Sequence, residues 1–331
     1  MSDTDAAGDE VILDAPNFIR VYKSGRVERF LPVDFAQPGT DAATGVSSKD
    51  VPILPVPGMS ARIYLPVTAT AGGQQGKVPV LVFFHGGGFC LGSAFDAAVH
   101  GHANQLAARA GAMVVSVEYR LAPERPVPAL YGDAWAALRW VAAHAAGQGP
   151  DSPEPWLAAH ADLARVHVGG ESAGANIAHH AAMRAGAEEL GHGVKLGALL
   201  LIHPYFLGGD GDGDAESDEM GMAMLREMVR LWPVVCPGTS GCEDPWINPM
   251  AEGAPSLTRL GCRRALVCVG GKDPMGGRGR LYAEKLVASG WRGEVGVWEA
   301  DGQGHGFHLV RPTCLEAEAQ VRIIAQFLGR P

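Results

Sequence analysis

The sequence predicts an α/β fold in which a mostly parallel central sheet is flanked by helices, and three observations carry that expectation. Short continuous apolar runs rich in β-branched residues recur along the chain, as strands buried on both faces require. Between them lie longer stretches with apolar residues at helical spacing. The two kinds of segment alternate from about residue 78 onward, the order that yields parallel strands joined by crossover helices.

The amino-terminal residues 1–15 open with the polar, acidic MSDTDAAGDE and are expected to be disordered. FIRVYKSGRVERF then alternates apolar and charged residues around Ser24-Gly25, the pattern of a β-hairpin. A polar, proline-bearing stretch runs to about residue 50, residues 61–65 read as a further strand, and AGGQQGK reads as a surface turn. Residues 80–84 and 113–117 are buried strands, with helices expected over 100–110 and 131–144. Strands at 166–168, 198–202, 265–269 and 295–298 continue the alternation, and antiparallel strands at the amino-terminal edge would complete the sheet. One region breaks the rhythm: GGDGDGDAESDE at 208–219 is acidic and glycine-rich, and a methionine-rich amphipathic helix follows over 220–232. It reads as an insertion. The run Asp210, Asp212, Asp214 suggests calcium, but an EF-hand loop needs glycine at its sixth position and glutamate at its twelfth. Those positions hold Ala215 and Gly221, so a solvated loop is expected. No repeat or second core appears, and residues 1–331 are expected to form one domain.

Composition narrows the function. At 331 residues with 47% hydrophobic content the chain can bury a large core without staples. Its 27 Lys and Arg against 36 Asp and Glu leave a net charge of −9, with no basic cluster, which argues against nucleic acid or an anionic membrane as partner. The apolar runs are far too short to span a bilayer. The amino terminus does not read as a secretory signal and the terminal GRP carries no address tag, so a cytoplasmic protein is expected. The six cysteines (Cys90, Cys236, Cys242, Cys262, Cys268, Cys314) form no Cys-x-x-Cys and read as reduced thiols, with Cys262 and Cys268 as small core residues.

The segment Gly170-Glu171-Ser172-Ala173-Gly174 lies between a strand and a helix, where a Gly-x-Ser-x-Gly turn can project a serine hydroxyl above the sheet. Alone, such a pentapeptide in a chain with 45 glycines says little. A serine needs a base, and the base needs an acid to fix its tautomer. The strand at 265–269 leads into Asp273 and the strand at 295–298 leads into His305, so acid and base follow the serine at successive strand ends. Asp301 shares the loop of His305, Asp244 follows no clear strand, and His308 falls in or beside the start of the last helix, where packing is expected. Acyl transfer also needs N–H donors for an oxyanion, each worth about 3 kcal/mol. His85-Gly86-Gly87-Gly88 follows the strand at 80–84, so the N–H groups of Gly86, Gly87, Gly88 and Ala173 are the candidates, with His85 bracing the loop. His100, His102, His179 and His180 lack carboxylates at metal spacing, and no nucleotide-binding glycine loop occurs. Neither a metal nor a cofactor is required.

Taken together, RVYKSGRVERF, HGGGFCLGS, EYRLAPE, YGDAWAALRW, GGESAGANIAHH, DPWINP, LYAEKLVASGW and GHGFH resemble the hormone-sensitive-lipase-like branch of the α/β-hydrolases, and within it the plant carboxylesterases. The resemblance runs from about Ile19 to the carboxyl terminus. It implies the α/β-hydrolase fold, Ser172 as nucleophile, Asp273 as orienter and His305 as base. It implies too that the amino-terminal segment (about 16–50) and residues 207–237 form a cap lending methionines and aromatics to an acyl pocket. The glycine-rich 208–218 and the glycines of GKDPMGGRGR depart from the family pattern and bear on cap geometry. The expected activity is serine carboxylesterase action on small to medium esters, a small-molecule substrate class. The similar gibberellin receptors replace the histidine with an aliphatic residue, and the similar hydroxyisoflavanone dehydratases carry threonine at the nucleophile. This chain keeps His305 and Ser172, which favours hydrolysis over a hormone-binding module or a dehydratase or cyclase. No sequence pattern specifies an oligomeric state.

Overall fold

The computed structural model describes residues 8–329 apart from 17, 54–55, 57, 70–76, 147–152 and 210–216, so the AGGQQG turn and the Asp210 to Asp214 run lie outside the described residues. The chain begins with β1 (Val11–Ala15), β2 (Ile19–Tyr22) and β3 (Val27–Arg29), which form a three-stranded antiparallel sheet. β2 and β3 are the hairpin that the alternation predicts. The expectation of disorder over 1–15 is corrected for 11–15: Val11 and Leu13 to Ala15 pair with the free edge of β2, with a register shift at Ile12, and Leu13 packs against the core.

The main sheet starts with β4 (Ser47–Pro52), β5 (Ser60–Leu65) and β6 (Val78–Phe84). It continues through α1 (Ala97–Ala110), β7 (Met113–Glu118), α2 (Ala129–Ala142), α3 (Pro155–His160), β8 (Ala161–Glu171), α4 (Ala173–Ala185) and β9 (Leu196–Ile202). The remainder is α5 (Glu219–Val235), β10 (Arg264–Gly270), α6 (Gly276–Ala288), β11 (Glu294–Ala300), α7 (Phe307–Val310) and α8 (Leu315–Leu328). The eight strands lie in the order β11-β10-β9-β8-β6-β7-β5-β4. From β11 to β7 neighbours are parallel, and β5 and β4 close the amino-terminal edge antiparallel.

Each inner strand sends alternate side chains to opposite faces, as a period of two dictates. Val80, Val82 and Phe84 of β6 join one core with α2, α4 and α6, while Leu81 and Phe83 join a second core with α1 and α8. Arg120 and the buried Asp133 tie the end of β7 to α2 through bonds of 2.5 and 2.9 Å. All six cysteines are free, with Cys262 and Cys268 buried. Among the described residues no helix is long and apolar enough to cross a membrane.

Candidate active site

The register places the carboxyl ends of five strands side by side. Phe84 pairs with Gly170, Ile202 with both Glu171 and Cys268, and Gly270 with Ala300. The segments that leave these ends carry His85 to Gly88, Ser172, His203, Asp273 and His305, so residues far apart in sequence meet above one edge of the sheet.

Ser172 links β8 to α4 with φ 53° and ψ −117°, a conformation uncommon for any residue but glycine. The turn is held because Ser172 N–H donates to Ile202 O at 2.9 Å while Ser172 O accepts from Ala175 N–H and Asn176 N–H. The flanking glycines are steric requirements. A Cβ on Gly170 would lie 2.2 Å from Gly174 O, and one on Gly174 would lie 2.0 Å from Phe84 O.

His305 Nε2 lies 2.9 Å from Ser172 Oγ, and His305 Nδ1 lies 2.8 Å from Asp273 Oδ2. With Nδ1–H donating to the carboxylate, Nε2 is left to accept the serine hydroxyl. Asp273 is fully buried and its Oδ1 accepts from Met275 N–H at 2.9 Å. Burial opposes its ionisation, yet the charge and hydrogen bond of His305 outweigh it and hold Asp273 below the usual carboxylate range. Burial likewise disfavours the imidazolium, but Asp273 and, more weakly, Glu171 raise His305 above an ordinary histidine. The two loops are clamped to each other by Gly271 N–H to Ala300 O and Lys272 N–H to Gln303 O, both 2.9 Å.

The glycine run after β6 has φ 106° at Gly87 and 59° at Gly88, and a Cβ on Gly87 would meet Leu91 O at 2.2 Å. Among the described residues nothing accepts from the N–H groups of Gly87, Gly88 or Ala173. Gly86 differs, because the Glu171 carboxylate crowds it: a Cβ there would lie 2.0 Å from Glu171 Oε2. His85 is buried, stacks on Tyr119 with ring centroids 4.3 Å apart, and bonds the Gly86 carbonyl at 2.8 Å.

The other candidates lie elsewhere. Asp301 is exposed, and Asp244 accepts from Thr239 Oγ1, Ser240 N–H and Trp246 N–H, closing the DPWINP turn. His308 sits in α7 rather than at the start of the last helix, buried against His102 and His203. His179 meets the Tyr282 hydroxyl and His180 the Trp246 carbonyl.

Two neighbours of the site escaped the sequence reasoning. Glu171 Oε1 lies 3.8 Å from His305 Nε2, and burial pushes its carboxyl up to about 7. His203 accepts from Gly306 N–H at 2.9 Å through Nδ1, bracing the loop next to His305. Its position directly after the apolar run of β9 was the available signal. His203, Asp273 and His305 place ligand-type atoms within 4.8 Å of one another, but His203 Nδ1 and His305 Nδ1 are engaged in the bonds just described.

A cavity of about 350 Å³ opens beside Ser172. Phe18, Leu31, Pro32 and Val33 from the amino-terminal segment line it, as do Met224 and Met228 from α5. Arg230 of α5 donates to Asp14 O of β1, joining the two elements.

The family model described as alpha/beta hydrolase fold matches residues 81–309. Over 323 residues, 96% of this chain and 99% of the relative, the sequence is 42% identical to a 2-hydroxyisoflavanone dehydratase of Glycine max. It is 41% identical to probable carboxylesterase 1 of Arabidopsis thaliana over 96% of this chain and 98% of that one. Among solved structures, a hyperthermophilic esterase from the archaeon Pyrobaculum calidifontis is similar with a TM-score of 0.66 and 30% identity, covering 86% of this chain and 85% of the other.

Proposed function

The chain belongs to the α/β hydrolase fold family, and within that family we propose that it is a serine carboxylesterase acting on small to medium esters through an acyl-enzyme on Ser172. The observation that carries this reading is the unbroken hydrogen-bonded chain from Ser172 Oγ through His305 to Asp273, at 2.9 and 2.8 Å. His305 Nε2 takes the hydroxyl proton as Ser172 Oγ bonds to the ester carbonyl carbon, and the imidazolium that forms lies against ionised Asp273. The carbonyl oxygen becomes an oxyanion that the N–H groups of Gly87, Gly88 and Ala173 receive, at the amino end of α4 where the helix dipole favours negative charge. His305 returns its proton to the leaving alcohol as the C–O bond breaks. Water, deprotonated by His305, then releases the acid and restores Ser172. In the same reading residues 1–331 are one domain, and the amino-terminal segment with α5 forms the cap.

A second reading has one observation in its favour, the 42% identity to a dehydratase. There His305 would abstract a proton from carbon and no covalent enzyme would form. Ser172→Ala separates the two. Loss of at least about 10³-fold in kcat on a short-chain 4-nitrophenyl ester, with the melting curve kept, supports the esterase. Labelling of Ser172 by an organophosphate, read by mass spectrometry, should vanish in the same variant. Unchanged ester turnover in Ser172→Ala, or no labelling of the parent protein, overturns it.

A further inference from the structure

The cavity beside Ser172 has a one-sided charge. Its walls are apolar, from Phe18, Leu31, Leu91, Val99, Met224 and Met228. Apart from the histidines, the ionisable groups lining it are the carboxyls of Asp96 and Glu171, and no lysine or arginine lines it among the described residues. Of the cations on the elements that roof it, Arg226 of α5 is exposed and lines no part of the cavity, Lys23 pairs with Glu10 and Arg26 with Glu28, and three more are engaged elsewhere. Arg20 pairs with Asp14, Arg29 with Glu124 and Arg230 with Glu227. Outside the described residues the only cation in the sequence is Arg330, after α8, whereas 210–216, leading toward α5, contains Asp210, Asp212, Asp214 and Glu216.

An anionic group entering such a cavity loses its water, finds no counter-charge and faces two carboxyls. A neutral chain of the same size loses only apolar contact with water, which favours binding. Resting on the esterase reading, we infer that this site takes uncharged esters and rejects esters whose acyl part carries a carboxylate or a phosphate. Asp96 is the group through which this can be tested without dismantling the turn. It caps α1 by accepting from Ala98 N–H at 2.9 Å, and asparagine caps a helix equally well.

The test compares 4-nitrophenyl heptanoate with the mono-4-nitrophenyl ester of adipic acid, which differ chiefly in one terminal carboxylate. The anionic ester should show kcat/KM at least about tenfold lower at pH 7.5, since one unopposed charge readily exceeds the 1.4 kcal/mol that tenfold represents. Asp96→Asn should raise the anionic-to-neutral ratio at least about threefold. Equal kcat/KM for the two esters overturns the inference, and so does a ratio that Asp96→Asn leaves unmoved. Hydrolysis of both esters at equal rates, lost in Ser172→Ala, would leave the esterase standing while removing the charge filter. Should neither ester turn over, the esterase reading fails, and equilibrium binding of the matching 4-nitroanilides decides the charge question alone. Tighter binding of the neutral anilide supports the filter and equal binding overturns it.

Discussion

His305 is fixed from three directions. Asp273 holds one nitrogen, Ser172 meets the other, and His203 anchors the neighbouring Gly306 N–H. A base must be neutral to accept a proton, so kcat/KM should fall as pH falls through the His305 pKa, which Asp273 raises above the ordinary value. Asp273→Asn removes that stabilisation of the imidazolium. The plateau should drop by about 10³ to 10⁴-fold and the acid limb should move to lower pH, both visible in a pH–rate profile. Glu171 gives a stability prediction of opposite sign. Its folded pKa of about 7 lies above the 4.5 of an ordinary glutamate, so between them the native state holds more protons than the unfolded state and stability falls as pH rises. Glu171→Gln cannot ionise. Its Tm should exceed that of the parent by about 2 to 4 °C at pH 8.5 and by little near pH 5, as thermal melts at the two pH values would show. Ser172, Asp273 and His305 were legible because each follows a recognisable strand. Glu171 and His203 were not, because what distinguishes them is proximity to His305, which lies more than a hundred residues along the chain.

The turn between β8 and α4 shows how an element can be specified by what it excludes. Gly174 leaves no room for a methyl group, since Phe84 O and His85 O lie 2.0 and 2.5 Å from where its Cβ would stand. Both obstacles are backbone, at and just past the end of buried β6, and cannot swing aside. Gly174→Ala should therefore destabilise the protein by about 3 kcal/mol and abolish ester hydrolysis, checked by thermal melting alongside turnover. The helices over 97–110 and 129–142 were readable from apolar residues at helical spacing, and the inner strands because burial on both faces demands unbroken apolar runs. Edge elements were harder. β4 (SSKDVP) is polar because one side of it faces solvent, and β1 (VILDA) shows no alternation. The predicted strand at 166–168 is the buried core of β8, which extends from Ala161 to Glu171 because Ala161 pairs with Val78 and two glycines continue its carboxyl end. α3 spans only six residues, too short for a periodic signal.

At the scale of the whole molecule, two apolar layers lie on opposite faces of one eight-stranded sheet, while the cavity is also lined by residues flanking the strands of a separate three-stranded sheet and by α5. The layer order followed from the alternation of segments, but the contact between the amino-terminal sheet and α5 could not, since it depends on Asp14 and Arg230 meeting across 216 residues of chain. The side-by-side strand ends also impose an order in time on a chain made from its amino terminus. β6, β8 and the serine turn are synthesised long before β11, at the sheet's outer edge, and a domain that folds as a unit assembles them only once that strand is present. Until that last strand docks, His305 is not held beside Ser172. On the esterase reading, the hydroxyl of a half-made chain is then an ordinary alcohol and becomes a nucleophile only with a finished sheet.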